Sequence, residues 1–152
     1  MTRINFIFLL LLIGYCNAQQ PDPLLADNPL LQKKWVDSIY SVLSLDEKIG
    51  QLFIPIVFSK KDRNHFNEIK TLIKDYHVGG LIFSNGTPNK QTKWLNEFQS
   101  LSKVPLISSI DAEWGVAMRL DSVVPFPWSM TLGATRDYEI VKKIGERMGE
   151  QE

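Results

Sequence analysis

Apolar positions along the chain fall into alternating helical and strand-like stretches. Leu31, Trp35, Ile39 and Val42 recur at helical spacing, which predicts an amphipathic helix over residues 30–43. Ser44 and Glu47 then form a capping box that opens a short second helix, each side chain bonding to the other's backbone N–H. The apolar run over residues 51–58 is too short and too β-branched for a helix of its own and predicts a buried strand. Phe66, Ile69, Ile73 and Tyr76 share one helical face of residues 62–76. Residues 78–83 read as a second buried strand, entered through Gly79 and Gly80. Thr87 before Pro88 places a capping residue ahead of a proline at the first helical position, and Trp94, Leu95, Phe98 and Leu101 continue that helix. Residues 104–110 give a third apolar strand. A long loop containing Pro125 and Pro127 follows, and Ile140, Val141, Ile144 and Met148 mark a last helix.

Apolar strands alternating with helices imply a parallel sheet covered by helices, an α/β fold. No charged residue falls within 78–83 or 104–110, as expected for strands buried on both faces. Three strands leave two unpaired edges, each a liability. A small doubly wound domain would normally show five strands, and a closed (β/α) barrel needs roughly 200 to 250 residues. At 152 residues the chain is therefore expected to be an incomplete N-terminal portion of a (β/α)8 TIM barrel. Three strands of an open barrel are expected to aggregate or to bind a hydrophobic dye, whereas a finished module would melt cooperatively.

Charge narrows the partners. The chain has 17 basic and 17 acidic residues. Residues 1–18 carry Arg3 early, then an apolar run over residues 6–13, then Cys16, Asn17 and Ala18 ahead of Gln19. That is the pattern of a secretory signal peptide, and the run is too short to span a membrane. The expected organisation is a signal over 1–18, a Pro-rich spacer over 19–29 and a partial barrel domain over 30–152. Tyr15 is too bulky for the usual residue before a lipidated cysteine, which disfavours a lipoprotein anchored through Cys16. The expected location is periplasmic or extracellular, with no membrane-spanning segment after signal removal. Removal of Arg3 with the signal leaves 134 residues, 16 basic against 17 acidic. That balance excludes the basic footprint of a nucleic-acid binder. It also removes the only cysteine. With His65 and His77 as the only histidines, no zinc-ligand spacing remains, so neither a metal site nor a Cys nucleophile is expected. No cofactor is expected either.

Chemistry is expected where parallel strands end. Asp111, Glu113, Trp114 and Arg119 follow directly on the third strand. If extended, Asp111 and Glu113 share one face, and an ionised carboxylate can accept from two neighbouring sugar hydroxyls. Arg119 offers five donors in a rigid fork, and Trp114 could stack on the apolar face of a sugar ring. These four are the candidate substrate-binding residues. The structural readings stay open beside them: Asp111 could cap the next segment or form an ion pair with Arg119, and Glu113 and Trp114 could be structural. Trp128, Pro125 and Pro127 read as loop packing, Asn85 as a tight turn, and His65 as a solvated residue on a charged helix face. His77 precedes a strand at the end of the sheet opposite the expected site.

Several segments resemble family 3 glycoside hydrolases. The run from Ser44 to Phe53 resembles the T-L-E-E-K-I-G-Q-L-F opening of that family, and His77 to Phe83 resembles its second-strand G-G-(I/L)-I-(L/F) segment. Val104 to Gly115 resembles P-L-(L/I)-x-x-x-D-x-E-G-G. Pro125 to Thr135 resembles the following F-P and (M/L)-x-L-(G/A)-A-(T/S) stretch. The variant around Asp111 is most similar to the β-N-acetylglucosaminidase-like branch of Bacteroidetes type.

The resemblance implies a (β/α)8 barrel that hydrolyses terminal β-linked sugars with retention. It implies Asp111 as the pocket aspartate that accepts from sugar hydroxyls, and Arg119 as the arginine closing the motif. Trp114, Gly115 and Val116 stand where that branch usually has Gly-Gly-Arg, so one basic group is missing and a bulky ring is added. The family's Lys-His-(Phe/Tyr)-Pro-Gly-His-Gly stretch and its later nucleophilic aspartate have no match. No catalytic residue is therefore expected in this chain, read as an inactive N-terminal fragment of an exported glycosidase whose partner is carbohydrate. The alternative reading is a non-catalytic α/β sugar-binding or interaction module.

Overall fold

The computed structural model describes residues 28–151. The expected signal, its cleavage point and most of the spacer lie outside the described residues.

The chain divides into two compact units, with the division after Ser41. The first contains helix α1 (Pro29–Tyr40), which starts where the Asn28 side chain accepts from the Leu31 N–H at 3.1 Å and Pro29 occupies the first turn. It ends before Val42, so the apolar spacing overran the helix by a turn's edge.

The second unit begins with α2 (Leu45–Gly50). Its capping box forms as the sequence predicts: Glu47 N–H donates to Ser44 Oγ at 3.2 Å, and Ser44 N–H to Glu47 Oε2 at 2.7 Å. Lys103 Nζ lies 2.7 Å from Glu47 Oε1. That ammonium bond, with the Ser44 N–H, lowers the Glu47 carboxyl to a pKa of about 2.

Three parallel strands follow in sequence order: β1 (Ile56–Phe58), β2 (Gly80–Ser84) and β3 (Ile107–Ile110). Their crossovers are α3 (Arg63–Tyr76), capped by Asp62, and α4 (Pro88–Leu101), capped by Thr87 with Pro88 in its first turn. Register pairs Val57 with Phe83 and Phe83 with Ile110, which puts these three on one face of the sheet. Val57, Leu81 and Phe83 pack there against Phe66, Ile69 and Ile73 of α3 and Trp94 and Phe98 of α4. Phe66 and Phe98 stack with ring centroids 4.6 Å apart, and Trp94 meets Phe66 edge-on at 5.2 Å. This is the core.

Only β2 has a strand on each side, and four of its five residues are buried. The run over 51–58 is not a buried strand throughout: it contributes three strand residues, and Leu52, Phe53, Ile54 and Ile56 are exposed. Its first residues close the turn after α2, with Phe53 N–H donating to the Gly50 carbonyl, and Pro55 has no N–H to give a ladder. The run over 104–110 contributes four strand residues, and Ile107 remains 67% exposed. Both are edge strands, and Ile56 and Ile107 are exposed on the face opposite the one that carries Val57 and Phe83.

His65 corrects a second expectation. Although charged residues flank it, its side chain is buried. Nε2 accepts from the Phe58 N–H at 3.1 Å, so Nδ1 carries the proton and donates to Glu68 Oε2 at 3.2 Å. The imidazole thus supplies the acceptor that the last residue of an edge strand lacks. The loop expected after β3 also holds more structure than its prolines suggest: a 3-10 turn (Val116–Met118) and helix α5 (Ser129–Thr135). The last helix, α6 (Tyr138–Gly149), is capped by Asp137.

Candidate functional site

Because the strands are parallel, all three end on the same side of the sheet, and the loops that follow meet there. Backbone bonds tie these loops into a rim. Asn85, after β2, accepts at its carbonyl from both the Lys60 N–H and the Ser59 Oγ–H, each at 3.0 Å. Gly86 accepts from the Asp121 N–H at 2.7 Å and forms a parallel bridge with Leu120. The turn expected at Asn85 is present, with Asn85 at φ 56° and Gly86 at φ 143°. A Cβ on Gly86 would lie 2.0 Å from Ser59 Oγ, so only glycine permits this crossing.

Asp111 comes immediately after β3, two residues beyond Ser109, on the alternation that belongs to the sheet face opposite the one that carries Val57 and Phe83. The 3-10 turn then reverses the chain and brings Arg119 back to it. Arg119 Nη2 donates to Asp111 Oδ2, and the two side chains remain 31% and 41% exposed. A pair this open to water contributes on the order of 0–1 kcal/mol to stability. The ion pair foreseen as an alternative therefore exists, yet it holds the fold together only weakly. Its described bond uses one carboxylate oxygen and one guanidinium nitrogen, which leaves acceptors and donors facing solvent at the strand ends.

Glu113 does not share an extended face with Asp111. Strand β3 stops at Ile110, and Gly115 N–H donates to the Ala112 carbonyl at 3.0 Å, so Glu113 and Trp114 are the central residues of a turn. Glu113 is exposed. Trp114 is half-buried and meets Trp128, with ring centroids 5.8 Å apart and planes inclined by 36°. The structure thus gathers Asp111 with Arg119 and Trp114 with Trp128. Sequence reasoning set Trp128 aside as loop packing; the only local signal for it was an exposed aromatic beside two prolines. His77 lies at the opposite end of the sheet, where its carbonyl accepts from Gln51 Nε2 at 2.7 Å.

Among the described residues no three His, Cys, Asp or Glu side chains converge as metal ligands, and no helix is long and apolar enough to cross a membrane.

Comparison with known proteins follows this geometry. The model of a family described as glycosyl hydrolase family 3 N terminal domain matches residues 44–152. A curated protein of Cellulomonas fimi, named β-N-acetylglucosaminidase/β-glucosidase, is 26% identical over 117 residues, 77% of this chain and 20% of that protein. The chain therefore spans about a fifth of the relative's length. Among solved structures, a β-glucoside phosphorylase BglX bound to 2FGlc superposes with a TM-score of 0.58 at 22% identity, over 80% of this chain and 21% of that one. A further structure titled β-glucoside phosphorylase BglX gives 0.47 at 24% identity, over 60% and 14%.

Proposed function

We propose a function for a chain that belongs to glycosyl hydrolase family 3: it is the sugar-holding opening portion of an exported, retaining glycosidase that acts on terminal β-linked sugars. Its α/β fold is the N-terminal portion of the family's (β/α)8 barrel. We favour β-N-acetylglucosaminides as substrates, in line with the name of the Cellulomonas fimi relative and the segment around Asp111. Export rests on the leader pattern of residues 1–18.

One observation carries the reading. A carboxylate and a guanidinium are paired in the open, at the exit of a parallel strand, on loops that the rim bonds fix in place. In this reading the Asp111 carboxylate accepts from two hydroxyls of the terminal sugar, while Arg119 holds it in position and donates to the same ring. Glu113 stands nearby as a further acceptor and Trp114 as an apolar wall. None of these supplies the proton donor or the nucleophile. Retention needs two such groups about 5 Å apart across the scissile bond. Asp111 is already an acceptor for Arg119, and Glu113 belongs to a turn. We assign both roles to residues outside 28–151.

The test uses the protein expressed from its whole reading frame on chromogenic β-N-acetylglucosaminide and β-glucoside. Asp111→Ala removes hydrogen bonds between a charge and the sugar, so kcat/KM is expected to fall on the order of a hundredfold with the fold intact by circular dichroism. Residues 19–152 alone are expected to show no turnover. Unchanged kcat/KM in Asp111→Ala, or turnover by the isolated segment, overturns the assignment.

A further inference from the structure

His65 lies in the first turn of α3, its imidazole buried beside the rings of Phe58 and Trp94 at centroid distances of 5.8 and 6.5 Å. Its cover comes from β1 and α4 themselves, so added chain can only deepen it. Nε2 accepts from the Phe58 N–H at 3.1 Å, and Glu68 Oε2, 3.2 Å from Nδ1, keeps the proton on the other nitrogen. That arrangement requires a neutral ring. A proton on Nε2 turns the acceptor into a second donor, set against the N–H it served, and leaves that N–H without a partner. Imidazole is the side chain that makes this change between about pH 5 and 8. The charged groups around the ring come from three elements. Asp62, ahead of α3, accepts the His65 backbone N–H at 3.3 Å through Oδ1. Lys61 Nζ, after β1, stands over the Phe58 ring at 4.8 Å, and Lys90 Nζ of α4 stands over the Trp94 ring at 4.9 Å. Both ammoniums thus face aromatic rings, while Nε2 meets the backbone.

The strand end that His65 holds is the first link of the rim. Phe58 is the last residue of β1, and the next two residues, Ser59 and Lys60, both donate to the Asn85 carbonyl at 3.0 Å. Asn85 opens the turn in which the Gly86 carbonyl accepts from the Asp121 N–H at 2.7 Å and Gly86 bridges to Leu120. Arg119 directly precedes Leu120 and donates to Asp111. A contiguous series of bonds therefore runs from a buried imidazole to the carboxylate and guanidinium after β3. We propose that His65 is a positioning residue for that pair: the neutral imidazole latches the end of β1 and keeps the rim in place, and the protonated ring releases it. This rests on the reading given under Proposed function, in which the pair holds the terminal sugar. His65 touches no reacting atom in this role. Release weakens the hold on the sugar in the ground state and the transition state alike, so the loss falls on KM and leaves kcat nearly unchanged. Acid thereby lowers the affinity for substrate through a group remote from the chemistry.

The experiment follows the protein expressed from its whole reading frame from about pH 8 to pH 5, on whichever chromogenic β-N-acetylglucosaminide or β-glucoside it cleaves. His65→Gln puts an amide oxygen that takes no proton where Nε2 stands, and His65→Leu removes the acceptor at every pH. Over that range the wild-type KM is expected to rise about tenfold relative to that of His65→Gln, the worth of one buried hydrogen bond, with the kcat ratio within about twofold. His65→Leu should show the raised KM already at pH 8. A purely structural role would lower the melting temperature without this split between KM and kcat. Hydrogen exchange on the wild type needs no variant: protection factors at the Phe58 and Lys60 amides should fall together, about tenfold, as the pH falls. Protection at Phe58 that is independent of pH overturns the latch. A KM ratio between wild type and His65→Gln that stays within about twofold overturns the positioning role, even where protection at Phe58 falls. The sugar-site reading fails on a different variant. If Asp111→Ala leaves kcat/KM unchanged, that reading is lost and this role with it, whereas a pH-independent Phe58 amide removes this role alone.

Discussion

Strands β2 and β3 are written in nearly the same language, short apolar runs without a charge, and they lie side by side in register. Phe83 and Ile110 are paired residues on one face, yet Phe83 is fully buried and Ile110 is only partly covered. Leu81 is sealed between the helices and a neighbouring strand, while Ile107 is open to solvent. The difference is neighbours. β2 has a strand on each side and two helices over it; β3 has one strand and partial cover. An apolar run therefore reports the burial that a residue is built for, and the described elements supply that burial only at the centre of the sheet.

Substitutions can break this contrast or sharpen it. The largest effect is expected at the centre: Phe98→Ala leaves a cavity under β2 and should cost about 3–5 kcal/mol, read by chemical denaturation. A loss below 1 kcal/mol would mean the centre is no tighter than the edges. Next comes the rim. Gly86→Ala forces a Cβ toward Ser59 Oγ at a positive φ, and should cost about 1–3 kcal/mol of strain while loosening the loops that carry Asp111 and Asp121. The measurement is hydrogen exchange at the Lys60 and Asp121 amides, which should speed up selectively.

A pH dependence follows from Glu47. Its carboxyl is lowered in the folded state to about 2 by Lys103 and the Ser44 N–H, below its value in the unfolded chain. The stabilisation is present above the ordinary carboxylate range and is lost as pH falls from about 5 toward 2. In Glu47→Gln the melting temperature should fall less steeply across that window. An unaltered slope would remove Glu47 from the account of acid stability. The smallest effect is expected at the edge: Ile107→Ser should change the stability of the described fold by less than about 0.5 kcal/mol. A cost of several kcal/mol in the protein from the whole reading frame would show that Ile107 gains cover there.

These contrasts also separate what could be read from sequence from what could not. The caps at Ser44 and Thr87, the helices α3 and α4, and the strand through Leu81 and Phe83 depend on signals within a few residues of themselves. They were legible. The extents of β1 and β3 were not, since cover comes from elements distant in sequence. His65 was misread because its neighbours are charged, whereas its partner is a backbone N–H on the preceding strand. Helix α5 begins with no side-chain cap and holds Gly133, so it offered no start signal. At the site, the position rule located Asp111 and Arg119. The extended face shared by Asp111 and Glu113 did not survive the turn at Ala112 to Gly115, and the indole at Trp128 could be found only once the loop was folded against Gly115.

The strand order has a bearing on how the molecule is made. Because β1, β2 and β3 lie in the order of synthesis, each new strand meets a partner already emerged, with a single helix between them. Assembly can proceed from the first strand onward, each pairing waiting only for the one helix between its strands. The Phe66–Phe98 stack can therefore form as soon as α4 has been made, while the residues after β3 are still being added.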